Sequence, residues 1–412
     1  MTALLLILGI LAAAEKRENC TACHLRQTDQ RLSGPARAMG DDVHAQVGLT
    51  CASCHGGDPE AEIAGDDALP AKDPRRGFRR VSEMEPIPVL CGRCHADAAL
   101  MHRYDPNLPV DQLAQYWTSV HGQKLRGGAR DVAHCGSCHK VHGVLSAKDP
   151  RSPVFPTRVS ETCGGCHANP EHMKPYDVPT DQLQLYRASV HGRALLDKGD
   201  LGAPTCNSCH GNHGAAPPRV NSVSLVCGTC HSVQKDLFAQ STHKKVFDEG
   251  GQPECETCHG NHDVQPPTDE LLGVGKAAIC VECHDDEKAP PYQTAKALRE
   301  EIDGLKRAVA QARAVVDRAS QAGMEVSDAE VALIDANQAL VQMRNLVHAA
   351  SLPRLQEQTK QGLGLAMKAE EGGRVALAEL GRRRQGLGIF LALILLVAAG
   401  LYLKIRQIEG RK

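Results

Sequence analysis

Nine times between residues 20 and 284 the chain reads Cys-x-x-Cys-His, and the nine copies consume all 18 cysteines. The pairs are Cys20/Cys23, Cys51/Cys54, Cys91/Cys94, Cys135/Cys138, Cys163/Cys166, Cys206/Cys209, Cys227/Cys230, Cys255/Cys258 and Cys280/Cys283. The histidines that follow them are His24, His55, His95, His139, His167, His210, His231, His259 and His284. Such a chain must fold around nine local sites, each offering two thiols and an imidazole within one short turn. Zinc ribbons also use Cys-x-x-Cys pairs, but four thiolates complete a tetrahedral site with no need of histidine. A disulfide framework has no use for it either. Ferredoxin-type cysteine runs ending in Cys-Pro are absent. Histidine is only 20 of 412 residues, so nine coincidences in a row are negligible.

The spacing is that of c-type haem attachment. Two thiols three positions apart reach the two vinyl groups of one haem, and the adjacent histidine offers its imidazole to the iron. On these residues the chain resembles the multihaem c-type cytochromes, over about 265 residues from Cys20 to His284. The resemblance implies nine covalently bound haem c groups, as the core of a mainly α fold with much irregular loop. Only 3% of residues are aromatic, few for so long a chain, and porphyrins would supply the missing buried rings. The formal charge of −2 gives no basic excess for nucleic acid, and nine haems would add 18 propionates. Arg75-Arg76 with Arg79-Arg80 is a cationic cluster suited to pairing with them.

An internal repeat organises the motifs. Asp111-Gln112-Leu113, Tyr116 and Ser119-Val120-His121-Gly122 recur as Asp181-Gln182-Leu183, Tyr186 and Ser189-Val190-His191-Gly192, and more weakly as Phe238 and Ser241-Thr242-His243. Each copy leads to a motif with an extra histidine three residues on, giving His142, His213 and His262, and then to a second motif. A degenerate earlier repeat lacks the extra histidine. The repeats span about 44–95, 111–167, 181–231 and 238–284 within a haem domain of 15–290, with the Cys20 motif standing alone. The Asp-Gln-Leu to Ser-Val-His stretches read as short amphipathic helices that present histidine.

Each iron has a far side, and its ligand there separates electron transfer from catalysis. The expected distal ligands are His121, His142, His191, His213, His243 and His262 from the repeats, then His44, His102 and His172. His134, directly before Cys135, is the spare. All nine motifs end in histidine, whereas multihaem nitrite reductases typically mark their open haem with lysine.

After Pro290-Pro291 the chemistry changes. Apolar residues recur at helical spacing from Ala297 to Val316, a break follows at Gly323, and Ser327-Asp328-Ala329-Glu330 has the form of a capping box. Pro353 suits the first turn of a third helix, which Gly362, Gly364, Gly372 and Gly373 would weaken. Segment 291–385 is read as a long-helix hairpin or bundle and as a seam for homo- or hetero-oligomers. His348, its one histidine, is read first as solvent-facing on its helix, with a ligand reaching back to a haem as the alternative. Residues 386–403 carry no charge and suffice to span a membrane, leaving a tail at 404–412. The apolar run ending near residue 14 is read as a signal peptide or short anchor. Because haem is attached outside the cytoplasmic membrane, the haem domain is expected on the periplasmic side and the tail in the cytoplasm.

These readings point to a membrane-anchored electron carrier rather than a catalytic reductase, with no catalytic side chains of its own. It would exchange electrons with a quinol-oxidising membrane complex or a periplasmic reductase. The alternatives are a multihaem oxidoreductase acting on a nitrogen or sulfur oxyanion at one open haem, and a subunit of a larger respiratory complex.

Overall fold

The computed structural model describes residues 18–62, 70–218 and 223–410. The expected signal segment lies outside them. The described residues form helices and loops, with no strand among them. The chain divides into two compact units: residues through Pro218 together with Asn261–Gln265, and Arg219–Gly260 together with Pro266 onward. The division falls between Pro218 and Arg219, inside the 181–231 repeat.

The first unit has little apolar core. Its helices are short because each haem motif forms roughly one turn: Cys51–His55, Cys135–His139 and Cys206–His210 are examples. In these three the serine between the cysteines accepts a hydrogen bond from the backbone N–H just before the first cysteine, at 3.0–3.1 Å. That bond satisfies a donor that would otherwise have no partner at the helix start. The residue after each of these motifs has positive φ, 69° at Gly56, 67° at Lys140 and 82° at Gly211. The backbone turns sharply there and carries on into the residue three positions beyond the motif histidine.

The second unit is dominated by three long helices, Pro290–Gln321, Ser327–Leu346 and Leu352–Glu409. The first buries Leu298, Ile302, Leu305, Val309, Ala312, Val316 and Ala319, which alternate four and three residues apart. Leu355, Thr359, Gly362, Ala366, Ala369, Gly373 and Ala376 repeat that spacing on the third. This is the heptad seam of coiled-coil packing. Three of the four glycines expected to weaken the third helix, Gly362, Gly372 and Gly373, instead mark its close approach to the other two. A Cβ at Gly362 would press into Leu305, and one at Gly373 would meet Val315 and the backbone of Val316.

The third helix does not stop at the bundle. It continues unbroken through 386–403 to Glu409, 58 residues in all or about 87 Å. Its apolar window is fully exposed, with Ile389, Phe390, Leu395 and Leu396 each more than 60% accessible. It is the one helix among the described residues that is long and apolar enough to cross a membrane.

Candidate haem-binding site

The repeat sequence builds a histidine-presenting device. Tyr116 is buried and its hydroxyl donates to Ala133 O at 3.0 Å, while Tyr186 donates to Pro204 O at the same distance. Ser119 then breaks the chain direction. Its hydroxyl donates to Tyr116 O at 2.6 Å and accepts from Gly122 N at 2.9 Å. Ser189 repeats both bonds with Tyr186 O and Gly192 N. Each serine is the N-cap of a new helix and sets His121 or His191 in its first turn. Glycine follows the histidine because a Cβ would collide with the tyrosine carbonyl. The weaker copy keeps the cap as Ser241, but has Lys244 in place of glycine, and the corresponding bond lengthens to 3.3 Å. In the degenerate repeat the buried Asp42 is the cap. It accepts from His44 N and contacts His44 Nδ1, both at 2.9 Å, and also accepts from Val144 N.

Motif histidines have a second imidazole across from them. His55 faces His142, His139 faces His213, His210 faces His262 and His259 faces His348, with ring centroids 5.9–6.2 Å apart. His95 faces His44, His167 faces His121 and His284 faces His243, at 6.0 Å each. Two imidazoles that bind one metal ion at about 2 Å on each side have ring centres about 6 Å apart. The donor sets therefore fit a haem iron between them. Burial pushes the imidazoles of His121, His139, His213 and His259 below their ordinary pKa. They are neutral at pH 7 and carry the lone pair a metal needs. Several ring orientations are fixed from the other nitrogen: His210 Nδ1 lies 3.3 Å from Ala216 O, His348 Nδ1 2.9 Å from Asn345 O and His24 Nδ1 3.2 Å from Leu32 O.

The pairs follow a register. A histidine three residues beyond one repeat's first motif lies across from the first-motif histidine of the repeat before it, as His142 does from His55. The capped histidine of a repeat lies across from that repeat's own second-motif histidine, as His121 does from His167. Backbone bonds hold successive repeats in step, from Val43 N to Val144 O, Val120 N to Ala215 O and Val190 N to Val264 O, at 2.8–3.1 Å. The two kinds of pair differ in geometry. The first-motif pairs are nearly parallel, at 8°, 11°, 14° and 24°. Two second-motif pairs are crossed, at 77° and 61°, and a third is tilted at 37°.

The sequence treats the two cysteines of a motif as equivalent tethers, and the structure separates them. None of the 18 is in a disulfide. The first cysteine of every motif is half-buried, whereas the second is exposed at Cys54, Cys94, Cys209, Cys230, Cys258 and Cys283. At Cys23, Cys138 and Cys166 the second is half-buried as well. First cysteines are neighbours between successive repeats: Cys91 acts on Cys135, Cys163 on Cys206 and Cys227 on Cys255. Second cysteines are neighbours inside a repeat. Burial foremost raises the thiol pKa of Cys54, Cys138 and Cys258, and Cys94, Cys166 and Cys283 respectively lie near enough to raise it further.

His348, which the sequence reading ranked first as a solvent-facing residue, lies across from a motif histidine, His259. It sits in the turn Val347–Ala349 between the second and third long helices, where Ala350 has φ 48°. The last repeat has no further repeat to place an imidazole across from its first-motif histidine, His259, and the His348 ring occupies that position. His102 and His172 face other groups: His102 Nε2 lies 3.2 Å from Leu108 O, and the His172 ring packs against Tyr176. His134 Nδ1 is buried without a hydrogen-bond partner. Arg75, Arg76 and Arg79 pair with Asp73, Asp58 and Glu85.

A family model described as a doubled CXXCH motif matches residues 243–289, which hold His243, the Cys255 and Cys280 motifs and His262. No curated protein and no solved structure matches the chain. With that match, the motifs mark the chain as one that binds c-type haem covalently.

Proposed function

We propose that the chain is a membrane-anchored cytochrome that carries nine haem c groups and conducts electrons between a membrane redox partner and a periplasmic acceptor. The observation that carries this reading is the register of paired, neutral imidazoles. Each pair would hold one iron from both sides, through His55, His95, His139, His167, His210, His259 and His284 with their partners. Both cysteines of each motif would tether the porphyrin, the half-buried first and the second, which at Cys94, Cys209, Cys230 and Cys283 stands open at the surface. When bound, haem supplies one-electron chemistry. The protein's part is to hold each iron in one coordination before and after the electron passes, so that little rearrangement opposes transfer. The adjacency of consecutive motifs sets neighbouring haems close together. The exposed 386–403 helix supports anchoring, with the haem domain periplasmic and the 404–412 tail cytoplasmic. The partners proposed are a quinol-oxidising membrane complex and a periplasmic reductase, with segment 293–385 available for assembly.

Purified protein tests this directly. The alkaline pyridine spectrum should give nine haems per chain, and membrane vesicles supplied with a quinol should reduce most of them. Clearly fewer haems, or no reduction by membranes at any quinol concentration, would overturn the proposal.

A further inference from the structure

We propose that Asp42 tunes the haem held by Cys91, Cys94 and His95: its buried carboxylate acts through the His44 imidazole and makes that iron harder to reduce. The proposal rests on the reading that His95 and His44 hold one iron between them. Asp42 is then a positioning residue, one step removed from the metal.

The four capped histidines differ in what caps them. At His121, His191 and His243 the cap is a serine, a neutral group. The Ser119 hydroxyl is engaged with the backbone, at Tyr116 O and Gly122 N. At His44 the cap is an acid. Asp42 is only 2% exposed. Its Oδ1 accepts from His44 N and lies 2.9 Å from His44 Nδ1, while its Oδ2 accepts from Val144 N at 2.9 Å. A carboxylate can only accept, so the His44 proton sits on Nδ1 and Nε2 keeps its lone pair for a metal. All three partners are uncharged when His44 is neutral, and none of them offsets the carboxylate's charge.

Two effects then act in the same direction. A hydrogen bond to a carboxylate makes the imidazole a stronger donor, which favours ferric over ferrous iron. A fixed negative charge in a buried, low-dielectric setting also favours the more positive metal state. The charge reaches a second site as well. Val144 lies two residues past His142, which faces His55. Burial pushes the His142 imidazole pKa down, and the Asp42 charge acts against that. A smaller effect of the same sign therefore belongs to the haem of Cys51 and Cys54.

The test uses the detergent-purified full-length holoprotein, with haem counted first. Midpoints are read from the low-spin electron paramagnetic resonance signals during a redox titration. His44→Ala identifies the signal to follow: it should convert one strongly anisotropic low-spin signal, that of the crossed His44–His95 pair, into a high-spin one. Asp42→Asn removes the charge and keeps the shape. Asp42→Ser removes the charge and installs the cap that the other repeats use. Both should retain every haem and move the midpoint of that signal to more positive potential. The expected shift is at least tenfold in the reduction equilibrium, or about 59 mV for one electron. If both variants retain their haems and the midpoint stays in place, the proposal fails. It fails equally if Asp42→Ser restores the wild-type midpoint, since Asp42 would then act only as a cap, or if all haems shift together, which would report a loosened fold. Should His44→Ala leave every low-spin signal intact, the pairing of His44 with His95 is refuted and the proposal falls with it.

Discussion

Replacing His348 by alanine removes an imidazole 6.1 Å from that of His259 and leaves the iron at Cys255/Cys258 with one protein ligand. The structure gives the size of the effect. His259–His348 stands with three other near-parallel pairs, His55–His142, His139–His213 and His210–His262. Parallel imidazole planes donate unequally to the two iron d orbitals they meet and give a rhombic low-spin signal. Crossed planes, as at His44–His95, keep those orbitals nearly degenerate and give a strongly anisotropic one. The variant should therefore lose about a quarter of the rhombic intensity assigned to these four pairs and gain one high-spin iron per chain. Electron paramagnetic resonance of the oxidised, detergent-purified protein, integrated against haem content, reads both. The side chain is half-buried in a turn rather than set in the heptad seam, so far-UV circular dichroism should be unchanged. His348→Met should keep the iron low-spin. If His348→Ala leaves the rhombic intensity intact and adds no high-spin iron, the pairing with His259 and the register behind it are wrong.

Ser119→Ala removes the cap that presents His121, and should cost about 1 kcal/mol in denaturant melts while raising the high-spin fraction at the Cys163 haem. Gly122→Ala should do more damage than the cap loss, because its Cβ collides with Tyr116 O; equal melting of the two variants would refute the close approach. Asp269 anchors its loop to the bundle, with Arg344 Nε and Lys306 Nζ each 2.8 Å away, and the Arg344 guanidinium foremost, then Lys306, holds its carboxyl at about 2 against an ordinary 3.8. Discounted for the exposure of both cations, that shift stabilises the fold by about 1–2 kcal/mol. Because the folded pKa is the lower one, the contribution is present above about pH 4 and is lost as pH falls toward 2. Asp269→Asn should abolish that pH dependence in denaturant titrations between about pH 5 and 2.5. A chain ending at Arg384 should move from the membrane pellet to the soluble fraction with its haem content unchanged; retention in the pellet would refute anchoring by 386–403.

Much of the site is local chemistry and so was legible in the residues. Each haem motif carries its two thiols and its imidazole within five positions. Ser119-Val120-His121-Gly122 and its copy carry their own cap and their own obligatory glycine. The heptad spacing from Leu298 to Ala319 announces a helix with one buried stripe. The uncharged run at 386–403 announces a helix long and apolar enough to cross a membrane.

What the linear order could not show is which distant segment lies across from each imidazole, because that depends on how successive repeats stack. His142 meets His55, and not the His139 three residues before it, because positive φ at Lys140 turns the backbone away and the bond from Val43 N to Val144 O sets the register. Nor could it show that Cys91 turns toward Cys135 while Cys94 turns to the surface near Cys54, since the two thiols are chemically alike until neighbours pack on one of them. His348 is remote from every motif and becomes a partner of His259 only because a helix turn brings it there. Gly362 and Gly373 look like helix breakers in isolation, yet in the bundle they are the points where helices approach most closely. The nine sites, their proximal histidines and the apolar span follow from the sequence alone, as local covalent and solvation chemistry does. The pairing of imidazoles and the angles between their rings were decided by tertiary contact, which no local pattern encodes.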